Sequence, residues 1–156
     1  MQNFKHEPVE LGYGDLVAET SPKGRVYKDP EGKEYPSVTT VLKILSEEAI
    51  QAWRARVGEE EANKVSYRAS RRGTTVHTVI EKYLANDENY LEGVMPNNIQ
   101  SFKDVQPILD ECVTKVYSQE AGLYSKHLGL AGRVCLLYTS DAADDSLRVD
   151  LGGRRI

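Results

Sequence analysis

The apolar residues of this chain change their spacing twice, and each change marks a new kind of structure. Over residues 1–36 they are scattered among polar residues and punctuated by Pro8, Gly12, Gly14, Pro22, Gly24, Pro30, Gly32 and Pro36. Inside that turn-rich segment, Arg25–Lys28 and Lys33–Pro36 flank Asp29-Pro30-Glu31-Gly32, the pattern of a β-hairpin. From Ser37 the spacing becomes helical. Val41, Leu42 and Leu45 fall on one face, and Ile50, Trp53 and Val57 repeat at intervals of three and four. Ser37 or Thr39 can cap the first stretch, and Ser46 before Glu47 and Glu48 reads as a second cap. Gly58 suits the end of the helix. Trp53 is expected to anchor it to a neighbour.

Residues 59–86 carry the longest helical signal, opening with three acids. Gly73 predicts a break or bend within it. The second piece, capped by Thr74 or Thr75, then buries Val76, Val79, Ile80, Tyr83 and Leu84. A loop is expected over 87–100. A further helix follows from about Ser101 to Val113, with Pro107 near its first turns, where proline is tolerated. The spacing changes again from Val113 to Tyr124, where β-prone residues lose the helical period and predict a strand. Ser125–Gly129 is a turn, and Leu130–Val134 opens a second strand. The result is an α+β chain: helices first, then an antiparallel hairpin that begins a sheet.

Composition narrows the function classes. The 156 residues hold 20 Lys and Arg against 24 Asp and Glu, a formal net charge of −4. That balance excludes a histone-like coat but permits a local basic site. The two cysteines, Cys112 and Cys135, make no disulfide framework. No apolar run approaches a membrane span, and the polar start MQNFKHEPVELGYGD lacks the apolar stretch of a signal peptide. The expectation is a cytoplasmic protein with no membrane partner and no small-molecule cofactor.

Three segments carry chemistry: YPSVTTVL at 35–42, ASRRGTTVHTVIEKYL at 69–84 and SQEAGLYSKHLGLAGRV at 118–134. His77 and Glu81 are four apart, hence one turn apart on one helix face. In order and spacing the segments resemble the RecB-like exonucleases of the PD-(D/E)XK nuclease superfamily, of the phage and mitochondrial genome-maintenance type. The resemblance implies the first strands of a PD-(D/E)XK core, incomplete here, and a metal-dependent enzyme cleaving DNA single strands or duplex ends in a bacterial or phage-infected cell. It makes His77 a ligand of Mg²⁺ or Mn²⁺, and Glu81 and Glu120 the carboxylates beside it. Such an ion neutralises charge developing on the phosphorane and lowers the pKa of a bound water. Each residue also has a plainer reading: His77 as a surface or satisfied core histidine, Glu81 as a helix acid pairing with Lys82 or Arg72, and Glu120 as an exposed strand acid. Arg68, Arg71 and Arg72 precede the helix start expected after Gly73. With Thr74 at that start they are either solvated surface or a phosphate-binding, hence DNA-binding, arrangement.

The resemblance stops at Val134. It calls next for an Asp and, one strand later, for acid-x-Lys, whereas the sequence continues CLLYTSDAADDSLRVDLGGRRI. That stretch resembles the translation of a transposase-based sequencing adapter: TGT CTC TTA TAC ACA TCT encodes Cys135 to Ser140, and GT GTA GAT CTC GGT GGT CGC CGT ATC completes Arg148 and encodes Val149 to Ile156. Asp141, Asp144, Asp145 and Asp150 are therefore not recruited as ligands. The division expected is a turn-rich segment with its hairpin (1–36), a partial exonuclease domain (37–134) and a non-native tail (135–156). The chain as written is expected to be inactive and to bind metal weakly if at all. The alternative is a non-catalytic DNA-binding or recombination-accessory module.

Overall fold

A computed structural model describes residues 2–22 and 24–139. Among the described residues the chain is a mixed α+β molecule with three helices and two small sheets. The elements run β1 (Lys5–His6), β2 (Val17–Ser21), β3 (Gly24–Lys28), β4 (Glu34–Pro36), α1 (Val38–Val57), α2 (Glu59–Leu84), α3 (Pro96–Cys112), β5 (Lys115–Ser125) and β6 (Leu130–Thr139). One sheet has the order β2-β3-β4, all antiparallel. The other has the order β1-β5-β6, with β1 parallel to β5 and β6 antiparallel to it. Among the described residues no helix is long and apolar enough to cross a membrane.

The expected hairpin forms as β3 and β4, with Tyr27 opposite Tyr35 and Lys28 opposite Glu34. Asp29 shapes its turn. The Asp29 carboxylate accepts hydrogen bonds from the Glu31 and Lys33 amides at 3.0 and 2.9 Å and from the Tyr35 hydroxyl at 3.1 Å. Burial alone would push the Asp29 carboxyl up; these donors outweigh it and hold the group below the usual range. The sequence pattern does not show β1 or β2. Both expose every residue, so they offer no alternation of apolar positions and join their sheets through backbone bonds.

Ser37 caps α1, its Oγ accepting from the Thr39 amide at 3.3 Å. Ser46 does not start a new helix; its Oγ donates to the Lys43 carbonyl within a continuous α1. No residue of α1 is buried, and Trp53 is only half-buried. Gly58, at φ 85°, separates α1 from α2 and donates its amide to the Arg54 carbonyl. The break expected at Gly73 is absent: α2 is one helix of 26 residues. Glycine costs a helix about 1 kcal/mol against alanine, too little to interrupt a cooperative helix anchored by buried Val79, Tyr83 and Leu84. Thr75 caps nothing and instead donates to the Arg71 carbonyl at 3.0 Å. The helix expected from Ser101 begins earlier, with Pro96 in its first turn, which puts Pro107 in the interior. Pro107 and Lys103 are both exposed, so water can reach the carbonyl that Pro107 leaves without an amide partner.

Two cores result. Phe4, Val79, Tyr83, Leu84, Phe102, Val113 and Val116 form the larger one between α2, α3 and the β1-β5-β6 sheet. Leu16, Tyr27, Tyr35 and Ala131 form the smaller one between the hairpin and β6. The N-terminal segment supplies one residue to each, Phe4 and Leu16. Asn86 fixes Phe4 by exchanging hydrogen bonds with its amide and carbonyl at 2.8 and 3.0 Å.

The turn at Ser125–Gly129 and the strands on either side follow expectation, but β6 runs past Val134 to Thr139. Leu136 packs against the larger core. Tyr138 and Thr139 are strand-favouring residues, and the β5 backbone offers Cys135–Thr139 a partner. Residues 140–156, with Asp141, Asp144, Asp145 and Asp150, lie outside the described residues.

Candidate metal centre

The centre lies where the middle of β5 and β6 faces the second half of α2. The register pairs Gln119 with Leu136 and Ala121 with Val134, which leaves Glu120 and Cys135 between them, across from one another. Two irregularities in β5 aim Glu120. The pairing slips by one residue between Val116 and Ser118, and Glu120 itself has φ 52°. A left-handed non-glycine residue inside a strand costs on the order of 1–3 kcal/mol and is found where the surroundings over-determine it.

Helix α2 brings His77 and Glu81 to the same place. His77 Nδ1 is 3.2 Å from Glu81 Oε1, and His77 Nε2 is 3.4 Å from Glu120 Oε1. The imidazole is thus flanked on both nitrogens by carboxylates. The Glu120 contact is a close approach without the alignment of a hydrogen bond, and Glu120 Oε1 is buried and accepts no hydrogen bond from any described residue. His77, Glu120 and Cys135 offer one donor atom each, all within 4.8 Å of one another. They share a cavity of about 600 Å³ whose wall includes Ser37, Val38 and Thr39 from the start of α1. Cys135 is exposed as a residue, but its thiol sits against Glu120. Desolvation there, and then the carboxylate charge, push the thiol pKa up.

Arg133 ties the centre to the N-terminal segment. It donates to the Glu120 carbonyl at 2.7 Å and to both Asp15 carboxylate oxygens at 2.9 Å. The Arg133 guanidinium holds the Asp15 carboxyl below its ordinary value. Arg133 therefore clamps the strained residue from behind. Arg133 has no legible role within LAGRV, because its partner Asp15 is 118 positions away in the chain. Cys135 is met there only as a departure from Asp, and its place opposite Glu120 depends on the register.

The structure brings His77, Glu81 and Glu120 together, and it sets the arginines apart. Arg68, Arg71 and Arg72 lie mid-helix in α2, so no free helix N-terminus stands beside them. At roughly 100° per residue they sit about 120–180° around the helix from His77. They line a separate groove of about 360 Å³ with Tyr67, Thr75, Met95 and Asn98. Arg71 stacks on the Tyr67 ring at 5.8 Å. Thr74 is exposed on α2 and lines neither cavity. His127, in the β5–β6 turn, is exposed. No protein-family model, no curated protein and no solved structure matches this chain.

Proposed function

We propose that the chain carries part of the site of a metal-dependent DNA exonuclease of the RecB-like, PD-(D/E)XK type, and that it is inactive as written. One observation carries the reading. His77 and Glu81 from RGTTVHTVIE, and Glu120 from the block ending in LAGRV, meet within 3.2–3.4 Å although neither block touches the other in sequence. Juxtaposed imidazole and carboxylates are the start of a divalent-ion site for phosphodiester cleavage. Inactivity follows from what stands beside them. The position after Val134 is Cys135 instead of Asp, and residues 135–156 contain no lysine, hence no acid-x-Lys. Mg²⁺ demands near-octahedral oxygen coordination, and a set with a thiol and an imidazole does not fit it.

The decisive experiment is sequencing the parent locus across Val134. An Asp codon directly after Val134, followed one strand later by acid-x-Lys, supports the nuclease reading; a different continuation refutes it. The purified chain should not degrade DNA ends with Mg²⁺ or Mn²⁺, and robust degradation would overturn the inactivity.

A non-catalytic DNA-binding module is the second reading, favoured by the arginine groove that stands apart from the His77 cavity. It expects salt-sensitive DNA binding in which Arg71→Ala with Arg72→Ala lowers the slope of log K against log salt by up to about 2. Absence of binding at low salt removes it.

A further inference from the structure

We infer that His77, Glu120 and Cys135 form a three-donor site for a thiophilic divalent cation of the Zn²⁺ or Co²⁺ class, with Glu81 as the outer partner of the imidazole. The inference concerns the chain as written, in which Cys135 is the first residue of the stretch expected to be non-native, and it stands whether or not the chain acts on DNA.

The donor set sets the class of ion. One thiol, one imidazole and one carboxylate are the ligands of tetrahedral zinc sites, and three protein ligands leave a fourth position for water. Mg²⁺ and Ca²⁺ select oxygen-only sets. The spacing agrees. With Zn–N near 2.0 Å and Zn–O near 2.1 Å, two donors of a tetrahedral ion stand roughly 3.4 Å apart, and His77 Nε2 and Glu120 Oε1 are 3.4 Å apart. The thiol lies within the 4.8 Å span of the three donors, so a small rotation of an exposed side chain completes the set.

A second observation, independent of residue type, points the same way. Glu120 Oε1 is buried with no hydrogen-bond donor, in a residue held at φ 52°. A neutral imidazole carries one N–H. With that proton on Nδ1 toward Glu81, Nε2 presents a lone pair to Glu120, two acceptors face each other, and a cation between them resolves the contact. Glu81, 3.2 Å from Nδ1, then completes the carboxylate–histidine–metal relation found around zinc. On binding, the Cys135 thiol proton is released to solvent and sulfur coordinates as thiolate, with no change of oxidation state.

The test is titration of the full chain with Co²⁺ under a non-thiol reductant, followed by absorption. A sulfur-to-cobalt charge-transfer band should appear at one equivalent, persist in large excess Mg²⁺ and disappear on adding Zn²⁺. Cys112→Ser should keep the band, Cys135→Ser should abolish it, and Glu81→Gln should weaken Co²⁺ binding about 10-fold or more. A measurement on the unmodified chain removes dependence on variant folding: Zn²⁺ should slow alkylation of Cys135 and leave Cys112 unaffected. No band, a band that survives Cys135→Ser, or equal alkylation of Cys135 with and without Zn²⁺ overturns the proposal. None of these results bears on the nuclease reading, which the locus sequence decides.

Discussion

At the scale of single residues, the candidate centre is held by contacts that no local pattern encodes. His77 and Glu81 are legible together because a helix puts residues four apart on one face. Glu120 is legible as a strand acid near the right place, yet its aim comes from a register slip and a left-handed backbone. Arg133 gives a measurable handle on this. Its guanidinium depresses the Asp15 carboxyl, first by hydrogen bonding and then by charge, so Arg133→Ala should return Asp15 upward toward an ordinary aspartate. A carboxyl-carbon NMR titration reads the shift directly, and an unmoved Asp15 would show that the clamp does not form in solution. The sign for stability follows. A depressed folded-state pKa contributes stability above the unfolded-state value, about 3.9, and loses it as pH falls through the folded value. The Asp15 side chain is 66% exposed, so solvent screens the pair and keeps that contribution small.

At the scale of elements, what the sequence makes legible is what local chemistry decides. The β3–β4 hairpin is read correctly because Asp29, Pro30 and Gly32 specify the turn within a few residues. Ser37, one of the two caps offered with Thr39, and Gly58 mark the ends of α1 for the same reason, although the two stretches between them were expected as separate helices. The errors occur where a local signal is weak against its surroundings. Ser46 and Gly73 each carry a real preference, worth about 1 kcal/mol or less, and a long helix absorbs it. The consequence reaches the function, because a continuous α2 removes the helix N-terminus that would have turned the arginines into a phosphate cradle. Gly73→Ala tests the continuity. Gly73 has ordinary helical backbone and a Cβ there meets nothing within 4 Å. The substitution should therefore stabilise the chain by roughly 0.5–1 kcal/mol in denaturant unfolding. A loss of stability would mean that Gly73 adopts a conformation alanine cannot.

At the scale of the whole molecule, apolar surface is left without a partner. The stripe Val38, Val41, Leu42 and Leu45 has the spacing of a buried helix face, yet Leu42 is 53% exposed and Leu45 82%. Ile44, beside it, is 71% exposed. Beyond the isolated bridge from Ser37 to Ala131, β6 pairs among the described residues only with β5, so the rest of its outer edge has no strand beside it. The two cores are small and share no residue, so no single apolar centre unites the helices with the hairpin. Such a chain should associate with itself as concentration rises and should unfold over a broad range of temperature. Replacing Leu42 and Leu45 together by Lys separates the two effects. Both side chains contribute mainly to exposed surface, so each change should alter stability by no more than about 0.5 kcal/mol while sharply reducing association in sedimentation velocity. If the unmodified chain instead sediments as a monomer at every concentration and melts in one sharp transition, the stripe is covered in solution. Lysine at Leu42 and Leu45 would then lower stability by several times that amount, because it would bury charge against whatever covers it.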